Sequence, residues 1–338
     1  MSRPLLTTIS YRLLPVLQLT RMALVFTAIA DSTCGLLLRA ASDRAMYRGR
    51  LIEHIDTYRL IATAVISVGL YGFGMSLNDI IDRRRDSTTA AHRPLPSGRI
   101  GVVTAHVICF LLAFSALLGG IYFVYSHDAT GWATLVLVVA TGLLITFYDM
   151  AGKYLVAPGL ISLGLIRFFH SIIPAPELPL LWQPLLLLNH VTILSTVAYL
   201  WEQKRPTLTP LHWWTVLGML GFVDAACVLL TWWLRPSSLW IQPGLMLPGA
   251  AAILFVAVAF VIHRRMNGRR EAGQTLMLYG LLWLIVYDAA FAGAYVGPLA
   301  AILLLLLLPA AYLCVQVMRW WSKLLIASQR PEYKRAGV

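Results

Sequence analysis

Apolar runs of about 20 residues recur along this entire chain, separated by short polar connections. A helix rises 1.5 Å per residue, so each run is long enough to cross the roughly 30 Å of hydrocarbon in a bilayer. Inside lipid every backbone N–H and C=O needs an internal partner, which only helices and closed barrels provide. Barrel strands need about 10 residues, half the length of these runs. The pattern therefore reads as an all-α integral membrane bundle. Charged residues make up 12% of the 338, against roughly 25% in a soluble domain, so residues 1–338 read as a single transmembrane domain.

Spans are expected near 13–38, 57–81, 101–125, 132–149, 154–174, 180–201, 211–234, 240–262, 273–296 and 298–320, a bundle of nine to ten helices. The first span lacks the flanks of a cleaved secretory signal and is expected to be retained. With the N-terminus in the cytoplasm, nineteen of the 27 basic residues fall on the inside, six fall outside, and Arg21 and Arg167 lie within spans. That asymmetry sets the orientation and predicts an inner-membrane protein with both termini cytoplasmic. It also explains the net charge of +12 without nucleic acid as a partner. Cys34, Cys109, Cys227 and Cys314 sit in apolar runs without CxxC spacing, which argues against disulfides and zinc. The longest connections, 39–56 and 82–99, are where function is expected.

The segment Asn78-Asp79-Ile80-Ile81-Asp82-Arg83-Arg84-Arg85-Asp86 closes the second span. At about 100° per residue, Asp82 lies roughly 60° round the helix from Asp79, and Asp86 returns to within roughly 20° of it. Three like charges on one face at a membrane rim repel unless cations lie between them. A hard, oxygen-liganded ion such as Mg²⁺ suits that face, because it takes one or two carboxylates and completes its shell with water and substrate phosphates. The plainer reading is a solvated helix end in which Asp82 and Asp86 pair with the neighbouring arginines.

This NDxxDxxxD pattern, followed by His92-Arg93-Pro94-Leu95-Pro96-Ser97-Gly98, resembles the signature of the UbiA superfamily of intramembrane prenyltransferases, and Tyr148-Asp149-Met150-Ala151-Gly152-Lys153 falls where that family carries a Tyr and Lys motif. The resemblance implies a helical bundle around a central cavity. It implies Mg²⁺ held by Asn78, Asp79, Asp82 and Asp86, and a prenyl diphosphate contacted by Asn78, Arg93, Tyr148, Lys153 and Arg167. Asp79, Asp82, Asp86 and Lys153 would be the catalytic set. Transfer would go to a lipophilic or aromatic acceptor, with membrane lipid around the bundle and the active site on the cytoplasmic side.

One family feature is missing. Where many members carry a second DxxxD motif, this chain reads Ser195-Thr196-Val197-Ala198-Tyr199-Leu200-Trp201-Glu202-Gln203-Lys204-Arg205, with Glu202 the one carboxylate. That departure, together with the motif from Tyr148 to Lys153 followed by Pro158-Gly159-Leu160, resembles the EboC-type branch of the superfamily. It leaves Glu202, Asp149 and Asp31 as acceptor-side candidates, and keeps two other readings open: a non-catalytic isoprenoid or metabolite carrier, and a membrane terpene cyclase. Arg21, Asp31, Arg167, Asp224 and Asp288 lie within spans, where ionisable groups face a cavity or a partner. The eight histidines show no metal-binding spacing, and tryptophans near span ends, among them Trp214, Trp232, Trp233 and Trp320, read as an interfacial belt.

Overall fold

The structure is a computed structural model that describes residues 13–47, 56–126, 129–239 and 243–328. The termini expected in the cytoplasm lie outside the described residues. Helix α1 covers 13–19. It is followed by α2 (Val25–Tyr47), α3 (Thr57–Thr89), α4 (Val102–Tyr125), α5 (Gly131–Met150), α6 (Ala157–Ile172) and α7 (Trp182–Trp201). The chain continues through α8 (Pro210–Leu234), α9 (Met246–Arg265), α10 (Arg269–Tyr295), α11 (Pro298–Leu305) and α12 (Leu307–Ser328). No strand occurs among the described residues. Eight segments are long and apolar enough to cross a membrane, and the chain is a multi-pass membrane protein.

Four of the expected spans differ in shape. The run at 13–38 is not one helix: the chain turns at Thr20 and Arg21, where Arg21 adopts a left-handed backbone (φ 45°, ψ 38°), and α2 starts only after a short 3₁₀ turn at Met22–Leu24. The run at 57–81 continues as a helix to Thr89, about 50 Å in all, so the acidic motif rides on its last turns. The fifth span shortens to the 16 residues of α6. The last breaks at Leu306, because Pro309 has no N–H to offer the carbonyl four residues earlier.

Helices α2, α3, α5, α6, α7 and α10 form a closed ring in which each packs against the next and α10 returns to α2. The remaining long helices lie outside it, and α8 and α9 keep only 17% of their apolar windows buried, leaving their outer faces to lipid. Trp132, Trp214, Trp232, Trp233 and Trp320 are exposed near the ends of the apolar spans, as an interfacial belt requires. Small residues let α2 and α6 meet across the ring: a Cβ on Gly35 of α2 would overlap the Ser171 carbonyl of α6. Polar pairs join its helices too, with the hydroxyls of Ser32 and Ser67 2.7 Å apart between α2 and α3.

Candidate active site

The acidic motif is buried, not solvated. Asp79, Asp82 and Asp86 retain only 4%, 5% and 3% of their surface, since the end of α3 turns their shared face inward. Each meets a cation from a different part of the chain. Arg21 places Nη2 3.3 Å from Oδ1 of Asp79, and its left-handed turn is what brings an arginine from the α1–α2 break to the motif. Arg93 places Nη1 2.5 Å from Oδ2 of Asp86 and 3.7 Å from Oδ1 of Asp79. The loop after α3 doubles back to allow this, turning at Gly98 (φ 72°) and held where Arg99 donates to the His92 carbonyl and to Gln18 Oε1.

Lys153 supplies the third cation, with Nζ 2.7 Å from Oδ1 of Asp82. It stands in the tight turn Gly152–Tyr154 between α5 and α6, where a Cβ on Gly159 would overlap the Gly152 carbonyl. Arg85 adds a contact of 3.3 Å to Oδ2 of Asp82 from a largely exposed side chain.

A cavity of about 350 Å³ opens beneath this cluster. Asn78, Tyr148 and Asp149 line its mouth, and one Asp149 oxygen has no hydrogen-bond partner among the described residues. Lys204 joins them at the mouth and pairs with Glu202 at 3.3 Å, so Glu202 already has a counter-charge. Further in, Leu70, Ile145, Leu163, Ile166 and Leu281 make the walls apolar.

Arg167 stands apart from the acidic motif. Its Nη1 donates to Oδ2 of Asp31 at 2.6 Å and its Nη2 to Thr27 Oγ1 at 3.0 Å, fixing it between α6 and α2 deep in the bundle. Asp31 is completely buried behind Arg167 and does not line the cavity. Asp288 accepts from Gln183 at 2.9 Å, and Asp224 from Asn189 at 3.0 Å beside a second, outer cavity.

The residues can be tested against Mg²⁺. Among the described residues no three His, Cys, Asp or Glu side chains are grouped to hold a metal, so Asn78, Asp79, Asp82 and Asp86 do not form a ready-made cage. Instead each carboxylate is turned toward a cation. Yet Arg93 Nη1 stands between Asp79 and Asp86, a position in which two buried carboxylates share one positive charge. Two carboxylates with phosphate and water oxygens satisfy Mg²⁺, so the donor set fits an ion that arrives together with a diphosphate.

Sequence reasoning did not assign Arg21, Lys204 or His170 to the site. The signal for Arg21 was present, a lone cation in an apolar run, but its partner depends on a break that periodicity does not reveal.

These features define a class of protein: a helical membrane bundle whose buried carboxylates and cations lie beside an apolar cavity. Residues 51–274 match the UbiA prenyltransferase family, and the chain belongs to that family. A digeranylgeranylglyceryl phosphate synthase from Methanococcus maripaludis is 38% identical over 60 residues, which are 18% of this chain and 22% of that protein. The chain thus spans about a fifth of the length of the curated relatives it matches. Among solved structures, one of digeranylgeranylglyceryl phosphate synthase superposes with a TM-score of 0.57 at 17% identity, over 84% of this chain and 99% of that one. A UbiA homologue from Archaeoglobus fulgidus gives a TM-score of 0.52 at 13% identity, over 82% of this chain and 99% of the other. At these identities the two structures establish a shared fold.

Proposed function

We propose that this protein transfers a prenyl group from an allylic diphosphate to a lipophilic acceptor, with Mg²⁺, on the cytoplasmic side of the cell inner membrane. One observation carries the reading: Asp79, Asp82 and Asp86 converge with Arg21, Arg93 and Lys153 beside an apolar cavity that Arg21 and Asn78 themselves line. A prenyl tail suits such walls, where burial is worth about 0.8 kcal/mol per CH₂. Mg²⁺, when bound, supplies Lewis-acid stabilisation of the leaving diphosphate. Asn78 and the three aspartates would hold it.

In this reading Arg93, Lys153 and Arg21 turn from the carboxylates to the diphosphate oxygens as negative charge builds on them. Tyr148 offers a further hydroxyl beside them. Arg167, held by Asp31, serves the cavity and not the diphosphate. The carbon–oxygen bond of the donor breaks, a bond from the acceptor forms at the same carbon, and the acceptor's proton leaves to a base. Of the three acceptor-side candidates, Asp149 suits that base best, since it lines the cavity with an unpartnered oxygen whereas Glu202 pairs with Lys204 and Asp31 with Arg167. That pairing of Glu202 is also what keeps a carrier as the second reading.

Incubation of purified protein with Mg²⁺, labelled geranylgeranyl diphosphate and a lipid extract tests the proposal. An adduct with released diphosphate is expected. A cyclic hydrocarbon would indicate terpene cyclisation, and binding without turnover would indicate a carrier.

A further inference from the structure

Among the described residues two histidines are buried, and they differ in one respect. His190 is fully satisfied: its Nε2 lies 3.0 Å from the Gly280 carbonyl and its Nδ1 3.1 Å from the Tyr287 hydroxyl. His170 retains 4% of its surface, lines the cavity, and finds no partner for either ring nitrogen among the described residues. A neutral imidazole carries one donor and one acceptor, and leaving such a group unpaired costs about 1–3 kcal/mol. A merely structural histidine would resemble His190.

His170 follows Arg167 by three residues on α6, so the two share a face, and both line the cavity. Helix rise gives their depth. Arg167 lies ten residues into α6, about 15 Å from the end that carries Lys153. Counted along the chain from Arg21, through one 3₁₀ turn and two turns of α2, Asp31, the partner of Arg167, also lies about 15 Å from the motif. The cavity therefore has charged or titratable groups at both ends, and its remaining walls are mostly apolar, with Tyr71, Thr141 and Ser195 among them.

The character of the far end follows from its charges. Arg167 is already neutralised by Asp31 at 2.6 Å and held by Thr27, so its remaining N–H groups can donate without an unbalanced charge. A carboxylate or phosphate at this depth would lack a free counter-charge, and a purely apolar prenyl terminus would leave His170 unpaired. We infer that the far end of the cavity is a subsite in which Arg167 and His170 hydrogen-bond a neutral carbonyl or hydroxyl group of the lipophilic acceptor. This rests on the prenyl-transfer reading only for the word acceptor, since the subsite itself is defined by its geometry. The acceptor is then a molecule with an apolar middle and a neutral polar group remote from the atom that is prenylated.

The test uses two probes that differ by one hydroxyl, 1-naphthol and naphthalene, with protein in lipid nanodiscs and affinities referred to the lipid-dissolved probe. Wild-type protein is expected to bind 1-naphthol about three- to tenfold more tightly, the net worth of one hydrogen bond. His170→Leu should abolish that preference and His170→Gln, which keeps a donor and an acceptor, should retain most of it. Magnesium-dependent affinity for geranylgeranyl diphosphate should not change in either variant. Selective ¹⁵N labelling of histidine provides a readout that needs no folded Leu variant: the His170 ring resonances should shift with 1-naphthol and not with naphthalene. Equal affinities for the two probes in wild-type protein, a preference that survives in His170→Leu, or unmoved His170 resonances would each overturn the inference. Failure of geranylgeranyl diphosphate to bind wild-type protein would instead count against the proposed function while leaving the probe preference intact.

Discussion

Asp82 and Lys153 offer the sharpest test of the clamp, because they come from segments 71 residues apart and meet at 2.7 Å with 5% and 12% of their side chains exposed. At that separation and an effective dielectric constant of about 20, the gross attraction is about 6 kcal/mol. Desolvation of both groups offsets most of it, so the pair contributes little net stability while each partner depends on the other. Lys153→Met should therefore cost about 3 kcal/mol, since it leaves Asp82 buried beside an exposed Arg85. Asp82→Asn keeps an acceptor oxygen for Lys153 and should cost about 1–2 kcal/mol. The double variant should be less destabilised than the sum by about 2 kcal/mol. Reversible unfolding in mixed micelles measures this cycle. In the transfer assay both single variants should lose about 10²–10³ in kcat, with KM changed less, and the double variant should lose little more. Additive stability losses, or an Asp82→Asn protein with wild-type kcat and unchanged Mg²⁺ dependence, would refute the reasoning.

Asp31→Asn should destabilise the fold by about 3–5 kcal/mol because it strands the buried Arg167, whereas Asp288→Asn keeps the oxygen that accepts from Gln183 and should cost within about 1 kcal/mol; unfolding midpoints compare them. Gly35→Ala should force α2 from α6 and cost about 1–3 kcal/mol, read as a lowered Tm in detergent. The basic asymmetry predicts a cytoplasmic C-terminus, so a C-terminal alkaline phosphatase fusion should be inactive in a bacterial host and a green fluorescent fusion bright.

Much of the architecture was legible because lipid enforces one rule on every span. The acidic face of α3 was equally plain, since helical spacing alone aligns Asp79, Asp82 and Asp86. Hydropathy misplaced the end of that helix: the polarity of Arg83, Arg84 and Arg85 marks where α3 leaves hydrocarbon, not where its hydrogen bonds stop. Arg21 and Arg167 were visible as costly cations within spans, yet which carboxylate each meets depends on the relative rotation of α2, α3 and α6. No local pattern encodes that. His170 and His190 look alike in sequence, and only the packed ring distinguishes the paired imidazole from the unpaired one.

The three carboxylates of the clamp each have a cation partner within the protein, and Arg21, Arg93 and Lys153 carry formal charges that cancel those of Asp79, Asp82 and Asp86. In the proposed function this makes Mg²⁺ and the diphosphate linked ligands. A lone divalent ion must displace guanidinium and ammonium groups that then have nowhere to turn, and a lone diphosphate must draw them off carboxylates that are left buried and bare. Each ligand relieves the penalty of the other, and by reciprocity the enhancement is the same whichever enters first. Calorimetric titration with Mg²⁺ alone should therefore be shallow, and should steepen by the same factor that Mg²⁺ adds to diphosphate affinity.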